Sequence, residues 1–186
     1  NCLYIILKEI MILKKFLTVF YILFSTSVFA SGYDVFGLGI YDVLDAADRE
    51  TAVDFRYERR FDNTLLKIGP ESENFFNLKP FLGVETTSKS ATYLLGGVYL
   101  EDNLGSLFLG EESNFNFTPS FGAGYYDRGS GKKLGHNIEF RTTLEVSYQL
   151  QSKNRIGLSL GHISNANLGD KNPGVEIISL TYQVPF

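Results

Sequence analysis

Residues 138–150 alternate regularly between apolar and polar side chains, and this pattern constrains the fold more than any other feature of the sequence. A period of two places successive side chains on opposite faces of a β-strand. One face carries Phe140, Thr142, Leu144, Val146, Tyr148 and Leu150, and the other carries Glu139, Arg141, Thr143, Glu145, Ser147 and Gln149. We therefore predict a strand with one apolar and one polar face.

Similar segments recur along the rest of the chain and predict an all-β protein. Turn-rich sequences separate most of them, and we find no amphipathic helix of useful length and no domain linker after residue 30. Residues 31–186 are therefore predicted to form a single domain. Residues 102–116 fit a short strand, a lid or a long loop. The eight predicted strands are 33–43, 50–61, 78–89, 91–101, 113–127, 137–150, 154–165 and 174–186.

Eight antiparallel strands of this kind can close into a small β-barrel, which leaves no exposed sheet edge. The alternation fits either a soluble barrel with its apolar face inside or a membrane barrel with that face toward lipid. Charges of both signs share the polar face, as Arg56 does with Asp54 and Glu58, and such charges can pair inside a narrow lumen. The chain also ends in an alternating segment that closes with Phe186, which resembles the C-terminal assembly signal of bacterial outer-membrane barrels. We predict an eight-stranded antiparallel transmembrane β-barrel of the outer-membrane type.

The N-terminal 30 residues are predicted to be a secretory signal peptide. Lys14 and Lys15 precede an apolar run over residues 16–24, and small residues lead to Ala30, after which we place the cleavage site. A transmembrane anchor is the alternative, but the apolar run is short for a membrane span. The only methionine is Met11, so our hypothesis is that residues 1–10 are an upstream artefact of gene calling.

Composition excludes several classes of function. The only cysteine, Cys2, lies in the predicted leader, so we expect no disulfide, no cysteine nucleophile and no thiolate metal site after cleavage. Two histidines offer little for a transition metal, and no cofactor motif is present. The leader carries three lysines and one glutamate, so its removal takes the formal charge from −4 to −6. This charge argues against a nucleic-acid partner.

The segment that joins the last two predicted strands holds the candidate catalytic residues His162, Ser164 and Glu176. His162 and Ser164 share the parity of the apolar residues in the seventh strand, and Glu176 shares that of the eighth. A hairpin folded symmetrically about Gly169 pairs residues whose numbers sum to 338, which places Glu176 opposite His162. Ser164 would then be the nucleophile, His162 the general base, and Glu176 the group that orients the imidazole.

An acyl-transfer site also needs donors for the developing oxyanion. Candidates are the side-chain amides of Asn165 and Asn172 and backbone N–H groups near Asn167. Each residue also has a purely structural interpretation, in which His162 is interfacial, Glu176 ends a loop and Ser164 opens a turn. A histidine, a serine and a glutamate together on a lipid-facing surface favour a functional site, because ionisable groups facing a membrane are costly.

Residues 157–161 (Gly-Leu-Ser-Leu-Gly) match the pattern of a hydrolase nucleophile elbow. That motif requires a strand-turn-helix context, and here it lies within a predicted strand. Ser159 is also predicted to point to the face opposite His162. We interpret this match as coincidence.

Residues 162–166 (His-Ile-Ser-Asn-Ala), followed by Asn172-Pro173-Gly174 and Glu176, resemble the lipid A 3-O-deacylases, or PagL-type outer-membrane esterases. Weaker similarity covers residues 80–85, 118–126 and 134–141. The resemblance implies an eight-stranded outer-membrane barrel with a Ser–His–Glu triad on its outer surface, which hydrolyses the acyl ester at the 3 position of lipid A in lipopolysaccharide. It also implies that Asn172 contributes to the oxyanion hole, whereas Asn167 departs from the Gly expected at its position.

Two alternatives to an outer-membrane lipid A esterase remain open at this stage. The first is a non-catalytic small outer-membrane barrel with a structural or adhesive role. The second is a soluble lipid-binding barrel, which would place Phe140, Leu144 and Val146 inside. The sequence also leaves open which acyl chain is removed and whether the barrel forms a homodimer.

Overall fold

The computed structural model describes residues 31–44, 50–69, 76–108 and 110–186, all within the compact unit Ser31–Phe186. The predicted leader, residues 1–30, lies outside the described residues, so its cleavage stays a prediction. Among the described residues, no helix is long and apolar enough to cross a membrane. The elements are β1 (Gly32–Tyr41), β2 (Ala52–Phe61), β3 (Leu66–Ile68), β4 (Phe76–Thr87), β5 (Thr92–Tyr99), β6 (Asp102–Asn103), α1 (Leu104–Phe108), β7 (Phe115–Asp127), β8 (Ile138–Gln149), β9 (Arg155–Ser164) and β10 (Val175–Pro185).

Eight antiparallel strands close into a barrel, as the sequence predicts. Their order is β2-β1-β10-β9-β8-β7-β5-β4, and pairing of β2 with β4 completes the ring. Each strand therefore pairs with its neighbour in the chain, and β1 pairs with β10. The short strands β3 and β6 lie outside the ring and extend the β4 and β7 edges respectively.

The interior of the barrel is charged. β2 contributes Arg60 and Glu58 to the lumen, and both side chains are buried. Arg60 Nη1 lies 2.7 Å from Glu145 Oε1, and Arg141 Nη1 lies 2.7 Å from Glu85 Oε2. Glu58 pairs with both Arg141 and Arg60, which links the two ion pairs into one network. Buried charges are tolerated only when they are paired, so this network satisfies the condition that a polar lumen imposes.

The outer surface of the barrel is apolar. Leu158 on β9 is 56% exposed and Leu180 on β10 is 65% exposed, and the residues that flank each along its strand are buried. Leu144 and Val146 on β8 also point outward, so the soluble-barrel alternative, which placed them inside, is wrong. A continuous apolar belt around a charged lumen is the arrangement of a transmembrane barrel.

A hydrophobic cluster extends from the end of the barrel where β9 leads into β10 toward the opposite end, where the Tyr99 hydroxyl donates to the Phe61 carbonyl at 3.0 Å. At the β9–β10 end, the hydroxyl groups of Tyr41 and Tyr126 are 3.0 Å apart, and Lys132 Nζ lies 2.8 Å from Asp42 Oδ1 beside them. The polar interior thus gives way to a packed core beneath the loops at this end. The cluster consists of Tyr41, Ala52, Phe81, Ala91, Tyr93, Leu95, Tyr99, Tyr126, Leu134, Ile163, Val175 and Ile177.

The observed strands match the eight predicted segments to within about two residues at most ends. Residues 102–116 hold β6, the single-turn helix α1 and a connecting loop, so each of the sequence interpretations describes only part of this segment. The sequence analysis missed β3, which is only three residues long and exposed throughout, so it has no alternating pattern.

Candidate active site

His162 and Glu176 face one another across the β9–β10 pair. They are direct partners in the register, so the prediction from the symmetric hairpin is confirmed for this pair. His162 Nδ1 lies 3.0 Å from Glu176 Oε1, which is hydrogen-bonding distance. The His162 side chain is 49% exposed and that of Glu176 is 29% exposed. The pair therefore sits on the outside of the barrel and is partly accessible.

The geometry of this hydrogen bond leaves one ring nitrogen available. The Glu176 carboxylate contacts Nδ1, so Nε2 is the nitrogen of His162 that can accept a proton from another group. The backbone at Glu176 is anchored to the start of the loop after β1, because the Glu176 main-chain carbonyl oxygen accepts hydrogen bonds from the N–H groups of Asp42 and Val43 at 2.8 and 3.2 Å. A carboxylate on Nδ1 with a free Nε2 is the arrangement of a general base in serine hydrolases.

Ser164 lies on the same outward face of β9, two residues beyond His162, and is partly exposed. Same-face neighbours along a strand are separated by about 6.6 Å between Cα atoms, which a serine and an imidazole can span. No hydrogen bond joins Ser164 Oγ to His162 in the described residues. Such bonds are often long in free enzymes and shorten when substrate binds.

Residues 165–174, which we call the site loop, begin with a tight turn. The N–H of Leu168 donates to the Asn165 carbonyl at 3.0 Å, and Ala166 and Asn167 between them have φ of 51° and 64°. Two positive φ values in succession are typical of a type I′ turn. Asn167 therefore adopts the left-handed conformation that asparagine tolerates, in place of the expected glycine.

The structure assigns different environments to the three asparagines proposed as oxyanion donors. Asn165 is buried, and its Nδ2 donates to the carbonyls of Leu134 and Lys171 at 2.8 and 2.7 Å, so both of its amide N–H groups are engaged. Its side chain thus connects loops and offers no free donor. We call residues 128–137, which contain Leu134, the β7–β8 loop.

Asn172 is exposed and keeps a donor available. Its Oδ1 accepts the N–H of Asn165 at 3.0 Å, and its Nδ2 donates to Asn167 Oδ1 at 3.4 Å, which occupies one of two N–H groups. The backbone N–H groups of Ala166 and Asn167 have no hydrogen-bond acceptor among the described residues. The remaining donors near Ser164 are therefore the Asn172 amide and these two backbone groups.

Two further residues lie next to His162, and the sequence analysis did not place either of them there. Gly174 has φ of 66°, and a Cβ built on it would lie 2.9 Å from His162 Cε1, so only glycine lets the chain pass the imidazole without displacing it. Thr142 pairs with His162 from β8, on the side opposite Glu176. The strand register predicts the Thr142 contact once β8 and β9 are aligned, whereas the approach of Gly174 depends on the loop path.

The elbow-like motif at residues 157–161 is not part of this site. Ser159 points into the lumen, is buried, and accepts a hydrogen bond from Arg56 Nη2 at 3.1 Å. The prediction that it faces away from His162 is therefore confirmed. No group of three or more His, Cys, Asp or Glu side chains in the described part of the chain is arranged to hold a metal ion.

The family model for lipid A 3-O-deacylase (PagL) matches residues 76–185, which is more than half of the chain and includes the whole site. The chain belongs to this family. A curated member, the lipid A deacylase PagL of Bordetella bronchiseptica strain RB50, is 38% identical over 55 residues, which cover 30% of this chain. The matched segment spans 31% of that relative's length.

Two solved structures share the fold. The crystal structure of the outer membrane enzyme PagL aligns with a TM-score of 0.61 at 14% identity and covers 83% of this chain and 100% of that one. Neisserial surface protein A aligns with a TM-score of 0.50 at 11% identity, with coverage of 84% and 99%. At these identities the alignments show the fold alone. The assignment of the chain to its family rests on the match to the PagL family model.

Proposed function

We propose that this protein is an outer-membrane esterase that removes the acyl chain at the 3 position of lipid A with a Ser164–His162–Glu176 triad. The observation that carries the proposal is the His162–Glu176 hydrogen bond on the outer face of the barrel, two residues from an outward serine. This pair lies within the segment that matches the lipid A 3-O-deacylase family. The proposal includes removal of residues 1–30 as a signal peptide, and it requires no cofactor.

The proposed reaction begins with attack of Ser164 Oγ on the ester carbonyl carbon. His162 Nε2 takes the hydroxyl proton, and the Glu176 carboxylate stabilises the imidazolium that forms. The carbonyl oxygen becomes an oxyanion, which the Asn172 amide and the N–H groups of Ala166 and Asn167 can stabilise. When the tetrahedral intermediate collapses, the bond to the sugar oxygen breaks, and His162 returns the proton to that oxygen.

Water completes the cycle. It attacks the acyl group on Ser164 while His162 takes one of its protons, and collapse of the second intermediate returns that proton to Ser164 Oγ. The products are a fatty acid and lipid A with a free hydroxyl at the cleaved position. Because the triad faces outward, the single water can enter from the membrane–water boundary and no internal channel is needed.

The position of the site suits a lipid substrate. Below it, the outward residues of β9 and β10 are apolar, as Leu160 and Ile178 are. Above it lie the site loop and the β7–β8 loop, which carry the polar groups. A lipid lying along the barrel would therefore place its acyl chains on the belt and its ester near the strand ends, at the level of Ser164.

The decisive experiment compares lipid A by mass spectrometry from cells that express the unmodified protein, Ser164→Ala or Ser159→Ala. We expect the unmodified protein and Ser159→Ala to release one hydroxyacyl chain and Ser164→Ala to release none. Ser159→Ala is the matched control, because it removes the same hydroxyl from the inward face. Heat-modifiable migration on gels verifies that each barrel is folded.

An unchanged lipid A spectrum with folded unmodified protein would contradict the proposal. It would favour a non-catalytic surface barrel, in which His162 and Ser164 have no chemical role. Equal activity of Ser164→Ala and the unmodified protein would show that another residue is the nucleophile.

A further inference from the structure

A cleft of about 670 Å³ lies between the β7–β8 loop and the site loop. Its wall is continuous with the proposed active site, because one of its residues, Asn172, accepts the backbone N–H of Asn165, the residue that follows Ser164. The cleft lies beyond the strand ends, on the side of Ser164 away from the apolar belt. It is lined by Lys133, Gly135, Asp170, Lys171, Asn172 and Pro173.

The walls of the cleft are fixed by backbone contacts between the two loops. Asn165 Nδ2 donates to a carbonyl on each of them, that of Leu134 and that of Lys171. Gly135 has φ of 99°, and any Cβ on it would overlap the Lys171 carbonyl oxygen. A Cβ on Gly169 would lie 2.5 Å from the Gly135 carbonyl oxygen. The loops are therefore in close contact, and the cleft exists before a ligand arrives, which lowers the entropic cost of binding.

The cleft presents two cations that form no ion pair with any residue that the structure describes. Lys133 and Lys171 come from opposite loops, both are exposed, and neither forms an ion pair in the described part of the chain. Two other lysines at this end differ, since Lys132 is buried against Asp42 at 2.8 Å and Lys89 lies 3.8 Å from Glu50. Asp170 is the single carboxylate of the lining, so the ammonium groups of Lys133 and Lys171 give the lining a net positive charge.

We propose that this cleft binds a phosphate ester on the head group of the glycolipid whose acyl ester is cleaved at Ser164. This inference rests on the proposed function and names a binding subsite for the same substrate. Lys133 and Lys171 supply charge-assisted hydrogen bonds to the phosphate oxygens from the two walls. The phosphate thereby sets how deep the lipid sits against the barrel.

The layering of the molecule favours a lipid-attached phosphate over other anions. Acyl chains belong on the apolar belt below Ser164, so the sugar and its charged substituents lie above, at the level of the loops. Exposed lysines can also attract an anionic membrane without binding a particular group, but that attraction depends on total charge and little on position. A test must therefore compare charges inside and outside the cleft.

The test measures binding by the full barrel in detergent micelles, in the Ser164→Ala background so that no turnover intervenes. Isothermal titration calorimetry gives the dissociation constant for phosphorylated lipid A and for lipid A stripped of phosphate. The cleft variant is Lys133→Gln with Lys171→Gln. Its matched control is Arg128→Gln with Lys89→Gln, which removes the same two charges from the same end but outside the cleft.

We expect the cleft variant to weaken binding of phosphorylated lipid A about tenfold and to leave binding of the stripped lipid unchanged. The control should change neither constant by more than about twofold. Asp170→Asn should tighten binding of the phosphorylated lipid, because it removes the one repulsive charge.

Equal losses for both lipids, or equal losses in the cleft variant and its control, would overturn the proposal. A lysine-dependent affinity for inorganic phosphate as high as that for the phosphorylated lipid would also overturn it, since the cleft would then bind the free ion. These titrations do not depend on hydrolysis. Loss of the deacylation seen by mass spectrometry would therefore count against the proposed function alone.

Discussion

The molecule places carboxylates beside basic side chains in two regions, and the two arrangements have different consequences. In the lumen, Glu145 accepts hydrogen bonds from Arg60 and Gln183, each at 2.7 Å, and all three groups are buried. On the outside, the Glu176 carboxylate contacts His162 Nδ1, and Nε2 of the same ring has no hydrogen-bond partner among the described residues. The lumen carboxylate is bonded to buried groups of the protein, whereas under the proposed function Nε2 of His162 in the outer pair accepts a proton from Ser164.

The comparison separates two roles of ionic groups in one barrel: those in the lumen stabilise the fold, and the outer pair provides a chemical group. Inside, removing a partner leaves an uncompensated buried charge, which is strongly destabilising. Outside, water can solvate what remains, so removal costs little stability but takes away a chemical group. The same substitution made in both regions should therefore have opposite effects on folding and on activity.

Glu176→Gln is expected to have the largest effect on activity. The amide cannot stabilise the imidazolium and can hold the ring in the wrong tautomer, so the deacylation rate should fall by about 10²–10⁴-fold. The midpoint of urea unfolding in lipid vesicles should stay within error of the unmodified protein. A large loss of stability would show that the outer pair is structural after all.

Glu145→Gln is expected to have the largest effect on stability. It leaves Arg60 and Arg56 without part of their counter-charge in the lumen, which should cost about 3–5 kcal/mol in the free energy of unfolding. Unfolding followed by urea titration measures the loss, and hydrolysis per folded molecule should remain unchanged. If activity falls in proportion to that of Glu176→Gln, the two regions are not separable.

Gly174→Ala should have a smaller effect, confined to the outer pair. The new Cβ would contact the His162 ring in a backbone conformation that costs alanine about 1–2 kcal/mol. We expect deacylation to fall about 10–100-fold through displacement of the imidazole, with only modest destabilisation. Pro173→Ala serves as the control, because it alters the adjacent loop residue without adding an atom against the ring. Activity of Gly174→Ala equal to that of this control would show that the ring tolerates the contact.

Most of what the sequence could predict came from strand parity, that is, from which side chains share a face of a strand. Alternation along β8, β9 and β10 separated lumen from outer face, and it placed His162, Ser164 and Glu176 on one side and Ser159 on the other. The register of the last hairpin followed from its symmetry alone. These features depend on local pattern, which a sequence records directly.

The structural features that the sequence analysis did not predict depend on the conformations of the loops and on how the loops pack together. Asn165 was proposed as an oxyanion donor, but its amide bonds the Leu134 carbonyl, 31 residues away in the chain, on another loop. The contact of Gly174 with His162 and the cleft between the two loops have the same origin. No periodicity encodes such contacts, because they arise when separate turns pack against each other.

The position of the His162–Glu176 pair on the outside of the barrel determines which substrate concentration governs the rate. Under the proposed function, substrate reaches the protein by lateral diffusion within a leaflet, so the governing concentration is a surface mole fraction and not a bulk molarity. Diluting the glycolipid with an inert lipid should then slow turnover even when its total amount in the tube is constant. Under the proposed function the reaction therefore takes place along the outer wall of the barrel, on the opposite side of the wall from the packed cluster around Tyr41 and Tyr126.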